Sequence, residues 1–96
     1  MKQSEFEASL TIQRVERFSP KELQSDLGIE WRTAKCLSQE LSRIVRAIRK
    51  GAKLFLIEGV VHLWKITGQH VSELAVIVLE NIFGIEWRQS SLLNTN

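Results

Sequence analysis

A small α+β domain, mainly α, is the fold class that this chain of 96 residues predicts. Apolar residues recur at helical spacing on both sides of a two-strand signature, and Pro20, Gly28 and Gly51 stand where helices begin and end. A composition that is 44% hydrophobic and 25% charged is ordinary for one soluble globular unit. The expected organisation is therefore one domain over residues 1–89 and a flexible tail over 90–96.

Phe6, Leu10, Val15 and Phe18, with Glu5 and Glu7 near the positive end, predict a first amphipathic helix from Ser4 to Phe18. Ser19, Pro20 and Glu22 then form a capping-box start for a short helix that runs to Leu27 and stops at Gly28. A long helix follows from about Glu30 to Lys50, closed by Gly51, with Arg49 and Lys50 at the negative end of its dipole.

Beyond Gly51 the pattern becomes extended. Residues 53–57 and 60–64 are β-prone runs around Glu58-Gly59, which predicts a tight hairpin pairing Ile57 with Val60, Phe55 with His62 and Lys53 with Trp64. One face, Leu54, Leu56, Val61 and Leu63, is a core surface. The other, Lys53, Phe55, His62 and Trp64, either packs its aromatics on neighbouring helices or lies on a partner or a sugar-phosphate backbone.

Thr67 or Gly68 is expected to open a last helix through about Phe83, although residues 75–79 alone also read as a strand. So apolar a helix needs cover on more than one side. The same helix from a second copy would supply it, making a homodimer the expected state, with Val71, Leu74, Val78 and Ile82 at the interface.

Charge is the most informative property of the long helix. Residues 31–53 hold seven basic residues and one acid, a net of +6, while the rest hold six basic and ten acidic, a net of −4. At about 100° per residue, Arg32, Lys35, Gln39, Arg43, Arg46 and Lys50 fall within an arc of roughly 80° that contains no acid. Ala34, Leu37, Leu41, Ile44, Val45 and Ile48 fill an arc nearly opposite. An ordinary solvated face mixes signs to gain i,i+4 pairs, and a stripe of one sign repels itself unless a polyanion neutralises it. Nucleic-acid contact is the reading this favours.

The stretch from Pro20 to Gln39 resembles the helix-turn-helix of winged-helix proteins: Leu23, Leu27, Ile29 and Leu37 match its apolar contacts and Gly28 its turn. Gln24 stands where that motif usually has a small residue, and Ala34 where Val or Ile is usual. The segment from Lys50 to Leu54, the hairpin, and residues 64–67 are similar to the wing of small excisionase and MerR-like proteins. This resemblance implies a winged helix-turn-helix with a β-hairpin wing and a C-terminal helix. It implies double-stranded DNA as partner, with Trp31, Arg32, Thr33, Lys35 and Gln39 entering the major groove. Arg32 and Gln39 suit base edges, and Arg43, Arg46, Lys50 and Lys53 suit phosphates. A weaker likeness, to the histone-like HU family, rests on a long helix ending in Lys-Gly before a strand pair, and it too implies a dimer.

The resulting expectation is a sequence-specific DNA-binding protein, a small dimeric transcriptional regulator or recombination accessory factor. Two alternatives stay open: a protein-protein interaction adaptor on the same scaffold, motivated by the apolar last helix and Trp31, and an HU-like architectural nucleic-acid-binding protein. Catalysis is not expected, because there is no phosphate-cradling glycine loop, no His-carboxylate constellation and no activating base beside Cys36. His62 has no ligand partner at metal spacing, so neither metal nor cofactor is expected. A lone cysteine, no membrane-length apolar run and no signal-peptide core point to the cytoplasm. One pentapeptide occurs twice, Gly28-Ile-Glu-Trp-Arg32 and Gly84-Ile-Glu-Trp-Arg88, each after a helix with apolar residues five and one before the glycine. A repeated packing device, glycine ending the helix and Ile and Trp docking behind it, is favoured over a shared ligand site.

Overall fold

The structure, a computed structural model, describes residues 5–8, 10, 12, 18–64 and 69–89. Among them are β1 (Glu5–Ala8), α1 (Pro20–Leu27), α2 (Trp31–Arg49), β2 (Lys53–Ile57), β3 (Val60–Trp64), β4 (Gln69–Val71), α3 (Glu73–Phe83) and β5 (Arg88–Gln89). The strands form one antiparallel sheet in the order β4-β3-β2-β1-β5. This is a small α+β fold.

Local chemistry sets the helix ends. Ser19 accepts the Glu22 N–H, Pro20 takes the first position, and Gly28 ends α1 at φ 66°, its N–H donating to the Gln24 carbonyl at 2.9 Å. α2 ends in a Schellman turn. The Gly51 N–H donates to Ile48 O and the Ala52 N–H to Ala47 O, each at 3.0 Å, with Gly51 at φ 104°. The chain therefore leaves α2 and enters β2 after two residues past Lys50, so Lys50 and Lys53 flank one corner.

The hairpin forms in the expected register, Ile57 opposite Val60, Phe55 opposite His62 and Lys53 opposite Trp64. Both turn residues, Glu58 and Gly59, have positive φ, 52° and 83°, as a two-residue turn matching the strand twist requires. Ala8, Leu54, Val61, Leu63 and Val71 share one sheet face and join a core cluster with Leu23 of α1, the apolar stripe of α2 and Ala75, Val78 and Leu79 of α3. All three helices thus cover the same side of the sheet.

Two expectations are corrected. Glu5–Ala8 is a strand rather than the start of a helix, because Phe6, Ala8, Leu10 and Ile12 alternate with polar residues at the period of two that a sheet uses. Leu10, Ile12 and Phe18 are not helical either, and Val15 with the other residues of that expected helix lies outside the described residues. The last helix begins at Glu73, not at Thr67 or Gly68, which lie outside the described residues, and Gln69–Val71 pairs instead with β3. Ser72 is the N-cap, its hydroxyl accepting the Ala75 N–H at 3.2 Å. Arg88–Gln89, of which nothing was expected, adds an edge strand beside β1; the tail over 90–96 lies outside the described residues.

Glu40, the one acid of α2, ties α2 to that cap. Its carboxylate accepts the Ser72 N–H at 3.0 Å and the Ser72 hydroxyl at 2.7 Å. A negative charge at a helix N-terminus opposes the dipole favourably. Replacing Glu40 by Ala removes both bonds, and the expected loss in a urea melt is about 1 kcal/mol, with α2 otherwise intact. An unchanged midpoint would show that the pair contributes nothing.

Candidate nucleic-acid interface

The site is built by one helix with two unlike sides. Ala34, Leu37, Leu41, Ile44, Val45 and Ile48 are the buried residues of α2, the six that the apolar arc contained. Their burial fixes the helix's rotation, so the opposite arc must face solvent. Arg32, Lys35, Gln39, Arg43, Arg46 and Lys50 are all exposed, as are Thr33 beside Arg32 and Lys53 at the start of β2. Glu40 lies off the stripe, held by Ser72.

From Arg32 to Lys50 the stripe extends about 27 Å at 1.5 Å per residue. A major groove is about 12 Å wide, so one end of such a helix can sit between base edges while the remainder crosses phosphates. The chain's acids gather elsewhere. Glu73 and Glu80 line a concavity between α3 and the hairpin, and Glu22 and Asp26 line another between α1 and α3. Four carboxylates thus lie around α3, and none lies on the cationic stripe of α2.

The residues expected at a dimer contact are not brought together on one surface. Val71 and Val78, 6% and 7% exposed, belong to the chain's own core, and Leu74 is half-buried against it. The side chain of Ile82 is open, at 47%, and so is Ile77, at 44%. The inward side of α3 is buried in this chain's own core, so Val71 and Val78 are corrected from interface to core residues. Trp31 is also exposed, at 49%, at the first turn of α2.

The two copies of the repeated pentapeptide begin alike and then part. Each glycine ends a helix in the left-handed region, at φ 66° and 65°, with its N–H bonded to the carbonyl four residues back. Ile29 and Ile85 each pack on the core. Trp87 packs there too, whereas Trp31 opens α2 and points to solvent. The packing device therefore holds for Gly and Ile in both copies and for Trp in only one.

The sheet's other face carries what the sequence left open between two readings. The helices cover the opposite side, so the aromatics here do not pack on a helix among the described residues. Register places Glu7, Phe55, His62 and His70 in one cross-strand row, with Arg88 beyond Glu7 and the Lys53–Trp64 pair alongside. Phe55 is buried at 5%, while Trp64 is 43% exposed and His70 is exposed. The rings of Phe55 and Trp64 meet edge to face at 6.0 Å, and those of His62 and His70 at 4.7 Å. The premise that His62 stands alone is corrected: the β3–β4 pairing sets His70 directly opposite it. No group of three metal-ligating side chains occurs among the described residues, and none of their helices is long and apolar enough to cross a membrane.

No protein-family model matches the chain, and comparison with curated proteins and with solved structures finds none that matches it.

Proposed function

We propose that this protein binds double-stranded DNA through the cationic side of α2, as a small dimeric regulator or accessory factor of the winged-helix kind. The observation that carries the reading is the separation of α2 into six buried apolar residues and an exposed stripe of cations and Gln39 with no acid on it. In this reading α1, Gly28 and the first turns of α2 act as the helix-turn-helix. Arg32, Thr33, Lys35 and Gln39 meet base edges, and Arg43, Arg46, Lys50 and Lys53 meet phosphates. The β2–β3 hairpin lies alongside as the wing. A second copy would meet Ile82 and the edge of Leu74, because Val71 and Val78 are taken up by the core.

Anisotropy of a labelled random-sequence duplex, titrated with the protein at increasing salt, tests the reading. The affinity is expected to fall linearly in log-log form, since each phosphate neutralised releases condensed counterions. Failure to bind any duplex at low salt would sink it. The adaptor reading would then stand on its own observation, the open side chains of Ile77 and Ile82 between two acid-lined concavities.

A further inference from the structure

Four rings on the sheet's outer face are in continuous contact. Phe55 meets Trp64 at 6.0 Å, Trp64 meets His62 at 6.4 Å, and His62 meets His70 at 4.7 Å. Cross-strand ring pairs stabilise sheets, and burial alone accounts for Phe55. It does not account for Trp64 and His70, which stay exposed on a side of the sheet that no described helix covers.

Charge indicates what these rings face. Lys53 lies directly across from Trp64, and only the corner at Gly51 and Ala52 separates Lys53 from Lys50, the last cation of the α2 stripe. Lys53 thus stands one corner away from the end of the α2 stripe, beside the exposed ring of Trp64 on the face of the sheet opposite the helices. At the far side of the face Glu5 and Glu7 of β1 are carboxylates, with Arg88 opposite Glu7, so the cation next to Trp64 is Lys53.

We infer that Trp64, with His62 and His70 beside it and Lys53 for the phosphate, is a stacking platform for unpaired bases on a strand that passes around the Gly51 corner from the α2 surface. This deepens the DNA-binding reading and rests on it: the preferred ligand has a single-stranded segment next to the duplex that α2 holds. Every base presents a π face, so aromatic stacking takes strands of any sequence, and a cation beside the ring tracks the backbone. The edge-to-face support from Phe55 holds Trp64 in place while leaving much of its ring open.

The full-length protein tests this in three binding titrations, against a blunt duplex, the same duplex with a single-stranded overhang, and oligo(dT), which forms no duplex. Trp64→Leu is expected to lose about tenfold in affinity for oligo(dT) and for the overhang, and much less for the blunt duplex. Trp64→Phe, which keeps a ring, should recover most of that loss. The double variant Arg43→Ala and Arg46→Ala should weaken all three ligands. Equal binding of oligo(dT) by wild type and Trp64→Leu overturns the platform while leaving the α2 reading intact. So does an equal loss on the blunt duplex, which would mean that the ring supports the fold rather than a base. No binding of any of the three ligands by wild type overturns the α2 reading, and the platform with it.

Discussion

Leu41→Ala is expected to lower the unfolding free energy by about 2 to 5 kcal/mol, the range for truncating a buried leucine. Leu41 is fully enclosed at the middle of α2, among Leu37, Ile44, Val45 and the sheet residues Leu54 and Leu63. The lost carbon groups forfeit transfer free energy, and the space left closes only in part because α2 is held near its middle and at its C-terminus. Glu40 is bound to Ser72, and Gly51 and Ala52 bond back to Ile48 and Ala47. A small domain has only about 5 to 15 kcal/mol to lose, so a urea melt should show a large drop in midpoint. Arg43, two residues along and exposed, should change stability by no more than about 0.5 kcal/mol when replaced by Ala. A Leu41→Ala loss below about 1 kcal/mol would mean that the apolar side of α2 is not packed as described.

How far the sequence could be read depended on how local each signal was. α2 repeats its pattern over five turns, so the rotation of the helix, its six buried residues and its exposed stripe all follow from spacing alone. The hairpin was equally legible, because two β-prone runs flank Glu58-Gly59 and a two-residue turn then dictates the register. β1 was not, because Phe6 and Leu10 also suit a helix; the alternation of Phe6, Ala8, Leu10 and Ile12 acquires meaning only when β2 is there to pair with it. Pairing between distant segments leaves no local mark.

The same reason accounts for the errors around α3. Ser72-Glu73 is a readable N-cap, but Val71 continues the apolar run before it and draws the helix start upstream. So apolar a helix in so small a chain made a second copy look necessary, yet Val71, Ala75, Val78 and Leu79 are buried in the chain's own core. The ring of His70 opposite His62, and with it the candidate stacking face, became visible only with the β3–β4 pairing.

The second large effect concerns binding rather than stability. Arg43 and Arg46 sit one turn apart at the middle of the exposed stripe, and both are assigned here to phosphates. Replacing both by Ala removes two counterion-releasing contacts while leaving the buried arc untouched. Each contact adds about 0.9 to the magnitude of the slope of log K against log salt on B-form DNA, so the double variant should flatten that slope by about two units. The affinity at low salt should drop most, and the two proteins should converge as salt rises. Sequence preference should change little, because phosphates carry no base information.

The salt slope of the wild type against that of the Arg43→Ala, Arg46→Ala protein, on one duplex under matched conditions, tests the central claim most directly. A slope flatter by about two units, with an unchanged urea midpoint, is the predicted result. Superimposable slopes would contradict it, since the exposed cations of α2 would then not be what touches DNA.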